Sequence, residues 1–328
     1  MKKRYWFASA VGLVGATVAL KLLRRPVDAV WDEHAHELHH AEHSRFAEID
    51  GVRVHYQEAG AIEAPPILLI HGFTASNFVW SEVLLPIAES GFRVIAPDLI
   101  GFGFSEKPKD NDYTIGAQAR MITGLMDYLG IESAIIVGSS YGGAVAATCA
   151  LDYAKRVERL VLVDAVTNDH VKRQLLLRLA ASPVLGDLIS PLMLGSHRLV
   201  FWRMKKGYAA ENAHLFDERR MKAHHRPLLA ASTQRAALTT LRRWSAGRIE
   251  QEVESVKQPT LLIWGDSDPD IPLANGRRLF ELIPNSRLII FHRCGHMPME
   301  EHPREFVEVL TGFCRNASEA ENARSVSA

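Results

Sequence analysis

Cysteine is scarce in this chain and forms no pattern: Cys149, Cys294 and Cys314 are three in 328 residues, with no C-x-x-C spacing. An odd number so placed indicates neither a zinc cluster nor a disulfide framework. Net charge is missing altogether, since 38 Lys and Arg face 38 Asp and Glu. No whole-molecule field draws the chain to nucleic acid, and no nucleic-acid partner is expected. Apolar residues are not lacking. At 47% apolar and 23% charged, the composition is that of a globular protein, of a length suited to one large domain or a domain with an insertion.

Charge is also absent from Tyr5 to Leu20, between a basic start (Lys2, Lys3, Arg4) and the group Lys21, Arg24 and Arg25. A helix of about 19 residues reaches roughly 28 Å, close to the thickness of a bilayer's hydrocarbon. No A-x-A cleavage site closes the run. Residues 1–25 are therefore expected to form a single-pass N-terminal anchor that partners the chain with a membrane. Basic residues flank both ends, so the side occupied by the rest of the chain stays open. Residues 26–45 read as a polar, histidine-rich, solvated connector. Within it His36-Glu37-Leu38-His39-His40 matches H-E-x-x-H, which on a helix would set two histidines on one face for zinc. Five histidines between positions 34 and 43 make that pattern cheap, and no third ligand is evident. It reads as coincidence, and neither a metal nor a cofactor is expected.

From Phe46 the periodicity becomes that of a folded domain, expected to run over 46–315 before a polar tail at 316–328. Alternation about Asp50-Gly51 signals a hairpin. Apolar runs at Ile67–Ile70, Arg93–Pro97, Ala134–Val137, Leu160–Asp164, Thr260–Trp264 and Arg287–Phe291 predict strands. Helical patterns near Phe78–Glu89, Ile115–Leu129, Gly142–Leu151, Leu273–Leu282 and Pro303–Phe313 lie between them. Strands buried on both faces and alternating with helices predict an α/β fold with a mostly parallel sheet flanked by helices. Between Asp164 and Thr260 no strand signal occurs. This segment, about 166–250, reads as an inserted helical cap. From Thr167 to Ile249 it carries fifteen Lys or Arg against five Asp or Glu, which fits either solvated helix faces or a surface for anionic headgroups.

The chemistry falls at the strand ends. Gly138-Ser139-Ser140-Tyr141-Gly142 fits G-x-S-x-G, a strained strand-to-helix turn that presents a nucleophilic serine, here Ser140. Serine is a weak nucleophile until a histidine takes its proton, and a buried carboxylate fixes that histidine's tautomer. Asp268, after the Trp264 strand, and His296, after the last strand, supply the pair. Asp164, which also ends a strand, is the rival acid. His71 sits before Gly72 and suits a role in supporting its loop. The oxyanion hole is expected from the backbone N–H groups of Phe73 and Tyr141.

From about Phe46 to Phe313 the chain resembles the α/β-hydrolase fold superfamily, through D-G-V-R-V-H-Y, H-G-F, P-D-L-I-G-F-G-F-S, G-S-S-Y-G-G, W-G-D-S-D and G-H-M-P-M-E-E-H-P. The resemblance implies a Ser140-Asp268-His296 hydrolase with a mobile cap. Haloalkane dehalogenases and epoxide hydrolases carry aspartate where Ser140 stands. Proline iminopeptidases resemble H-G-G-P-G, and carbon–carbon bond hydrolases a glycine-rich H-G-x-G-P-G, where this chain has His71-Gly72-Phe73-Thr74-Ala75. The expected function is thus that of a serine esterase or lipase, similar to membrane-bound monoacylglycerol lipases, with a small-molecule or lipid ester as substrate. The alternatives are a carbon–carbon bond hydrolase or cofactor-free haloperoxidase of the same fold, or a non-enzymatic binding protein built on it. Oligomeric state is not readable.

Overall fold

The computed structural model describes residues 26–169 and 175–315. The expected anchor at 1–25 and tail at 316–328 lie outside the described residues. Among the described residues, no helix is long and apolar enough to cross a membrane. The expected single-pass membrane localisation is corrected accordingly and is not carried further.

Eight strands form one sheet: β1 (Ser44–Ile49), β2 (Val52–Ala59), β3 (Pro66–Ile70), β4 (Arg93–Pro97), β5 (Ala134–Ser139), β6 (Val157–Val163), β7 (Thr260–Gly265) and β8 (Ser286–Phe291). Their spatial order is β1-β2-β4-β3-β5-β6-β7-β8. The β1–β2 hairpin and the β2–β4 pair are antiparallel, and β3 to β8 run parallel. All residues of β4, β5 and β7 are buried, as strands covered on both faces must be.

The helices along the chain are α1 (Trp31–His34), α2 (Leu84–Glu89), α3 (Ile115–Tyr128) and α4 (Tyr141–Asp152). Between β6 and β7 come α5 (Leu175–Ala181), α6 (Leu185–Leu194), α7 (His197–Lys205), α8 (Glu218–Leu228), α9 (Ala231–Arg243) and α10 (Gly247–Glu252). Last are α11 (Leu273–Leu282), α12 (Pro298–Glu301) and α13 (Pro303–Arg315). The single helix expected over Phe78–Glu89 divides into a 3-10 turn, Asn77–Trp80, and α2. Pro86 explains the break: it is tolerated in the first turn of α2, whereas inside a continuous helix its ring would meet the carbonyl four residues earlier.

The histidine-rich connector is not a solvated spacer. Trp31 packs edge-on to Phe46 at 5.5 Å and to Phe104 at 5.3 Å, and tilts over His55 at 4.9 Å. His40 Nε2 pairs with the Ser81 carbonyl, and His43 Nδ1 with that of Glu58. The H-E-x-x-H stretch does not lie on a helix. A 3-10 turn covers only Ala35–Glu37, Leu38 is extended, and His40 has a left-handed φ of 58°, so His36 and His40 are not stacked on one face.

Four arginines of the segment between β6 and β7 pair with acids from outside it. Arg203 pairs with Asp270, Arg220 with Glu82 and Glu300, Arg243 with Asp112, and Arg248 with Asp152. These four arginines tie the helical segment to the rest of the chain.

Candidate active site

Strand register brings five chain segments to one edge. Ile70 lies beside Gly138, Ser139 beside Val163, Val163 beside Ile263, and Gly265 beside Phe291. The residues that follow β3, β5, β6, β7 and β8 therefore emerge together at the carboxyl end of the sheet.

Ser140 has φ 54° and ψ −117°, a conformation that costs a non-glycine residue roughly 1–3 kcal/mol. The turn is closed by Ser140 N–H donating to the Val163 carbonyl and by Val166 N–H donating to the Ser140 carbonyl. Flanking glycines make the turn sterically possible. A Cβ on Gly142 would lie 2.2 Å from the Ile70 carbonyl oxygen, and one on Gly138 would lie 2.2 Å from that of Gly142. Tyr141 is the first residue of α4, so its N–H has no acceptor within the helix and faces outward at the positive end of the dipole. The Gly72 backbone comes close enough to Ser140 that a Cβ there would meet the Ser140 Cβ at 3.2 Å. This sets the His71-Gly72-Phe73 loop against the serine.

His296 Nδ1 lies 2.7 Å from Asp268 Oδ2, and the Asp268 carboxylate is fully buried. Asp268 Oδ1 accepts the N–H groups of Asp270 at 2.7 Å and Ile271 at 3.0 Å, so the loop after β7 wraps its own carboxylate. Burial lowers the His296 pKa, but the charge and hydrogen bond of Asp268, with the charge of Asp270 behind them, outweigh it and raise it to about 9. With Nδ1–H directed at Asp268, Nε2 is the nitrogen left to accept a proton.

The rival acid is close by. Asp164 is fully buried, has φ 43°, and accepts the Gly265 N–H on Oδ1 at 3.0 Å. One ligand atom from each of Asp164, Asp268 and His296 lies within 4.8 Å of the others. Two of the three, Asp268 and His296, engage each other directly. Burial and the adjacent Asp268 push the Asp164 carboxyl well above the usual carboxylate range.

His71 is buried and used by its own surroundings. Its Nδ1–H donates to the Gly72 carbonyl at 2.8 Å, and its Nε2 accepts the Leu99 N–H at 2.9 Å. Burial lowers its pKa, which keeps Nε2 an acceptor.

Several contributors to the site are not among the candidates named from the sequence. Trp244, after α9, lies 4.8 Å from the Tyr141 ring and 5.8 Å from that of Phe73. Trp244 Nε1 and the Tyr141 hydroxyl are both buried without a hydrogen-bond partner. Glu301 accepts the Gly295 N–H on both oxygens, at 2.9 and 3.1 Å, and so braces the loop that carries His296. His296 N–H itself donates to the Gly207 carbonyl at 2.7 Å, which ties this loop to the segment between α7 and α8. The E-E-H-P stretch held the signal for Glu301, but nothing in the sequence places Trp244.

Known proteins similar to this chain share its fold. A sequence model of the α/β-hydrolase fold matches residues 65–186 and 197–303. The 2-hydroxy-6-oxo-2,4-heptadienoate hydrolase of Pseudomonas putida is 28% identical over 281 residues, 83% of this chain and 96% of its own. The 2-hydroxy-6-oxononadienedioate/2-hydroxy-6-oxononatrienedioate hydrolase of Comamonas testosteroni is 30% identical over 85% of this chain and 99% of its own. Among solved structures, the meta-cleavage product hydrolase CumD of Pseudomonas fluorescens superposes with a TM-score of 0.71 at 27% identity, covering 84% of this chain and 98% of that one.

Proposed function

This chain belongs to the α/β-hydrolase fold family, and from that premise we propose that it is a serine hydrolase working through a covalent acyl intermediate on Ser140. The observation that carries the reading is the His296–Asp268 pair at 2.7 Å on the same sheet edge as a serine in a strained turn. In this mechanism His296 Nε2 takes the Ser140 proton as Oγ attacks a carbonyl carbon. The oxyanion is stabilised by the N–H groups of Phe73 and Tyr141, and the imidazolium by Asp268. Collapse expels the leaving group with the proton from His296. Water, deprotonated by His296, then releases the acid and restores Ser140.

The scissile bond is read first as a carbon–carbon bond next to a ketone, in a small oxo-dienoic acid. Two curated relatives spanned almost end to end by the match are named for such substrates. The unpaired Tyr141 hydroxyl and Trp244 Nε1 beside the nucleophile turn also suit a substrate that offers oxygen acceptors. A carboxylic ester is the second reading. It is favoured by His71-Gly72-Phe73-Thr74-Ala75, which departs from the glycine-rich loop of the carbon–carbon hydrolases.

Two assays test this in order. Labelling with a fluorophosphonate should modify Ser140, and modification elsewhere or nowhere refutes the serine-hydrolase reading. Turnover of 2-hydroxy-6-oxo-dienoates is then compared with that of 4-nitrophenyl esters. Esters hydrolysed far faster than every dienoate reverse the order of the two readings.

A further inference from the structure

Asp164 presents a problem in charge. Its carboxylate is wholly buried and within 4.8 Å of a second carboxylate, Asp268, which is also buried and already bonded to His296. Two ionised carboxylates at that separation, out of water, repel strongly, and one of such a pair holds its proton. The hydrogen bonds say which. Asp268 receives three donors: the N–H groups of Asp270 and Ile271 on Oδ1, and His296 Nδ1 on Oδ2. Asp164 receives one, from Gly265 N–H on Oδ1, and its Oδ2 is buried with no partner. A carboxylate offers about four acceptor sites, so Asp268 has one left, and Asp164 has one buried oxygen with nothing to do.

We propose that Asp164 is a neutral positioning residue, a carboxylic acid whose Oδ2–H donates to the Asp268 carboxylate and thereby moderates the basicity that Asp268 confers on His296. The left-handed backbone at Asp164, φ 43°, follows from this role. It turns the side chain toward β7 while its own N–H remains bonded to the Ile263 carbonyl, and aspartate is among the few non-glycine residues that tolerate the conformation. Burial and Asp268 act on this carboxyl in the same direction, favouring the protonated form. The other charged or titratable groups facing the cluster are Asp266 and Asp270 from the loop after β7, Cys294 from the loop after β8, and Glu301, which braces that loop. Asp270 is paired with Arg203 of α7, so its charge is partly offset, whereas that of Asp268 has no cationic neighbour other than His296 itself among the contacts described.

The role explains how one site holds both acids that could serve a serine and a histidine. An ionised Asp164 would add a second negative charge behind His296 and hold the imidazole proton more tightly still. A protonated Asp164 contributes a dipole pointing at Asp268 instead, so His296 is more readily neutral and able to accept the serine proton.

The test titrates the His296 ring by NMR in the resting full-length protein, in the wild type and in Asp164→Asn and Asp164→Ala. An asparagine keeps the acceptor for Gly265 N–H and offers an amide N–H to Asp268, so it imitates the protonated acid and should leave the His296 pKa unchanged. Alanine removes the donor and should raise that pKa, by about half a unit or more. A fall in Asp164→Asn means that wild-type Asp164 is ionised, and overturns the proposal. No change in either variant overturns it too, since Asp164 and His296 are then uncoupled. Should the alanine variant fail to fold, infrared spectroscopy of the wild type decides: a protonated-carboxyl C=O band at neutral pH that is lost in Asp164→Asn supports the proposal, and its absence refutes it. The catalytic meaning rests on the serine-hydrolase reading, but both measurements read the resting protein, while Ser140 labelling reads that function separately.

Discussion

Asp268→Asn is the most informative single substitution at the site, because the hydrogen bonds around residue 268 leave the new amide only one way to sit. Oδ1 accepts from Asp270 and Ile271 N–H groups, so the amide oxygen must stay there, and the NH2 group takes the place of Oδ2. That group then faces His296 Nδ1 at a separation of 2.7 Å in the parent. Two donors cannot share this contact, so the imidazole must turn Nδ1 into an acceptor and carry its proton on Nε2, the nitrogen that should receive the Ser140 proton. The ring stays in place but holds the wrong tautomer. A loss of this kind is worth roughly 10⁴ in kcat, or about 5 kcal/mol of transition-state stabilisation. The His296 pKa should fall from about 9 as well, because its main raising cause is gone while burial, which lowers it, remains. Steady-state hydrolysis of a 4-nitrophenyl ester or an oxo-dienoate measures kcat, and NMR titration measures the pKa. A loss under about tenfold, or an Asp164→Asn variant worse than Asp268→Asn, would move the acid to Asp164 and refute the reasoning.

Ser140→Ala should abolish turnover and fluorophosphonate labelling while the thermal midpoint changes little, because the hydroxyl is needed for the covalent step alone; residual labelling at another serine would reassign the nucleophile. In the wild type, kcat/KM should rise with pH as His296 loses its proton, with a midpoint between the ordinary 6.5 and about 9; a midpoint below 6.5 contradicts the electrostatics of the site. Arg220→Met should lower the unfolding free energy by about 3–5 kcal/mol, since it strands the fully buried Glu300 carboxylate; denaturant unfolding measures this, and a loss below about 1 kcal/mol would show that Tyr208 and His224 suffice to hold that charge.

The central strands of the sheet were legible because they are buried on both faces, which writes them as unbroken apolar runs. Leu68, Ile136, Leu162 and Leu262 are each fully buried, and each sits in a run found from the sequence. Ser140, Asp268 and His296 were singled out from the sequence for a related reason: each follows one of those runs. Features that depend on residues far apart in the chain were not. Asp164 and Asp268 are brought together only because β6 and β7 are neighbours in register. Trp244 reaches the Tyr141 ring only because α9 packs back over the loop after β4, where a Cβ on Gly101 would meet the Ala236 methyl at 2.9 Å.

The segment between β6 and β7 shows most clearly why charge composition alone misleads. Fifteen basic residues against five acidic ones describe a strand of chain, whereas a potential belongs to a surface. Once folded, Arg203 lies against Asp270 and Arg220 against Glu300; Asp270 follows Asp268 in the loop after β7, and Glu300 lies in α12, just after the loop that carries His296. Charges of opposite sign divided between two parts of one chain raise the affinity of each part for the other, and they set register as they do between separate proteins. These ion pairs hold the segment against the loop after β7 and against α12, and the bond from His296 N–H to the Gly207 carbonyl joins the same segment to the loop that carries the histidine.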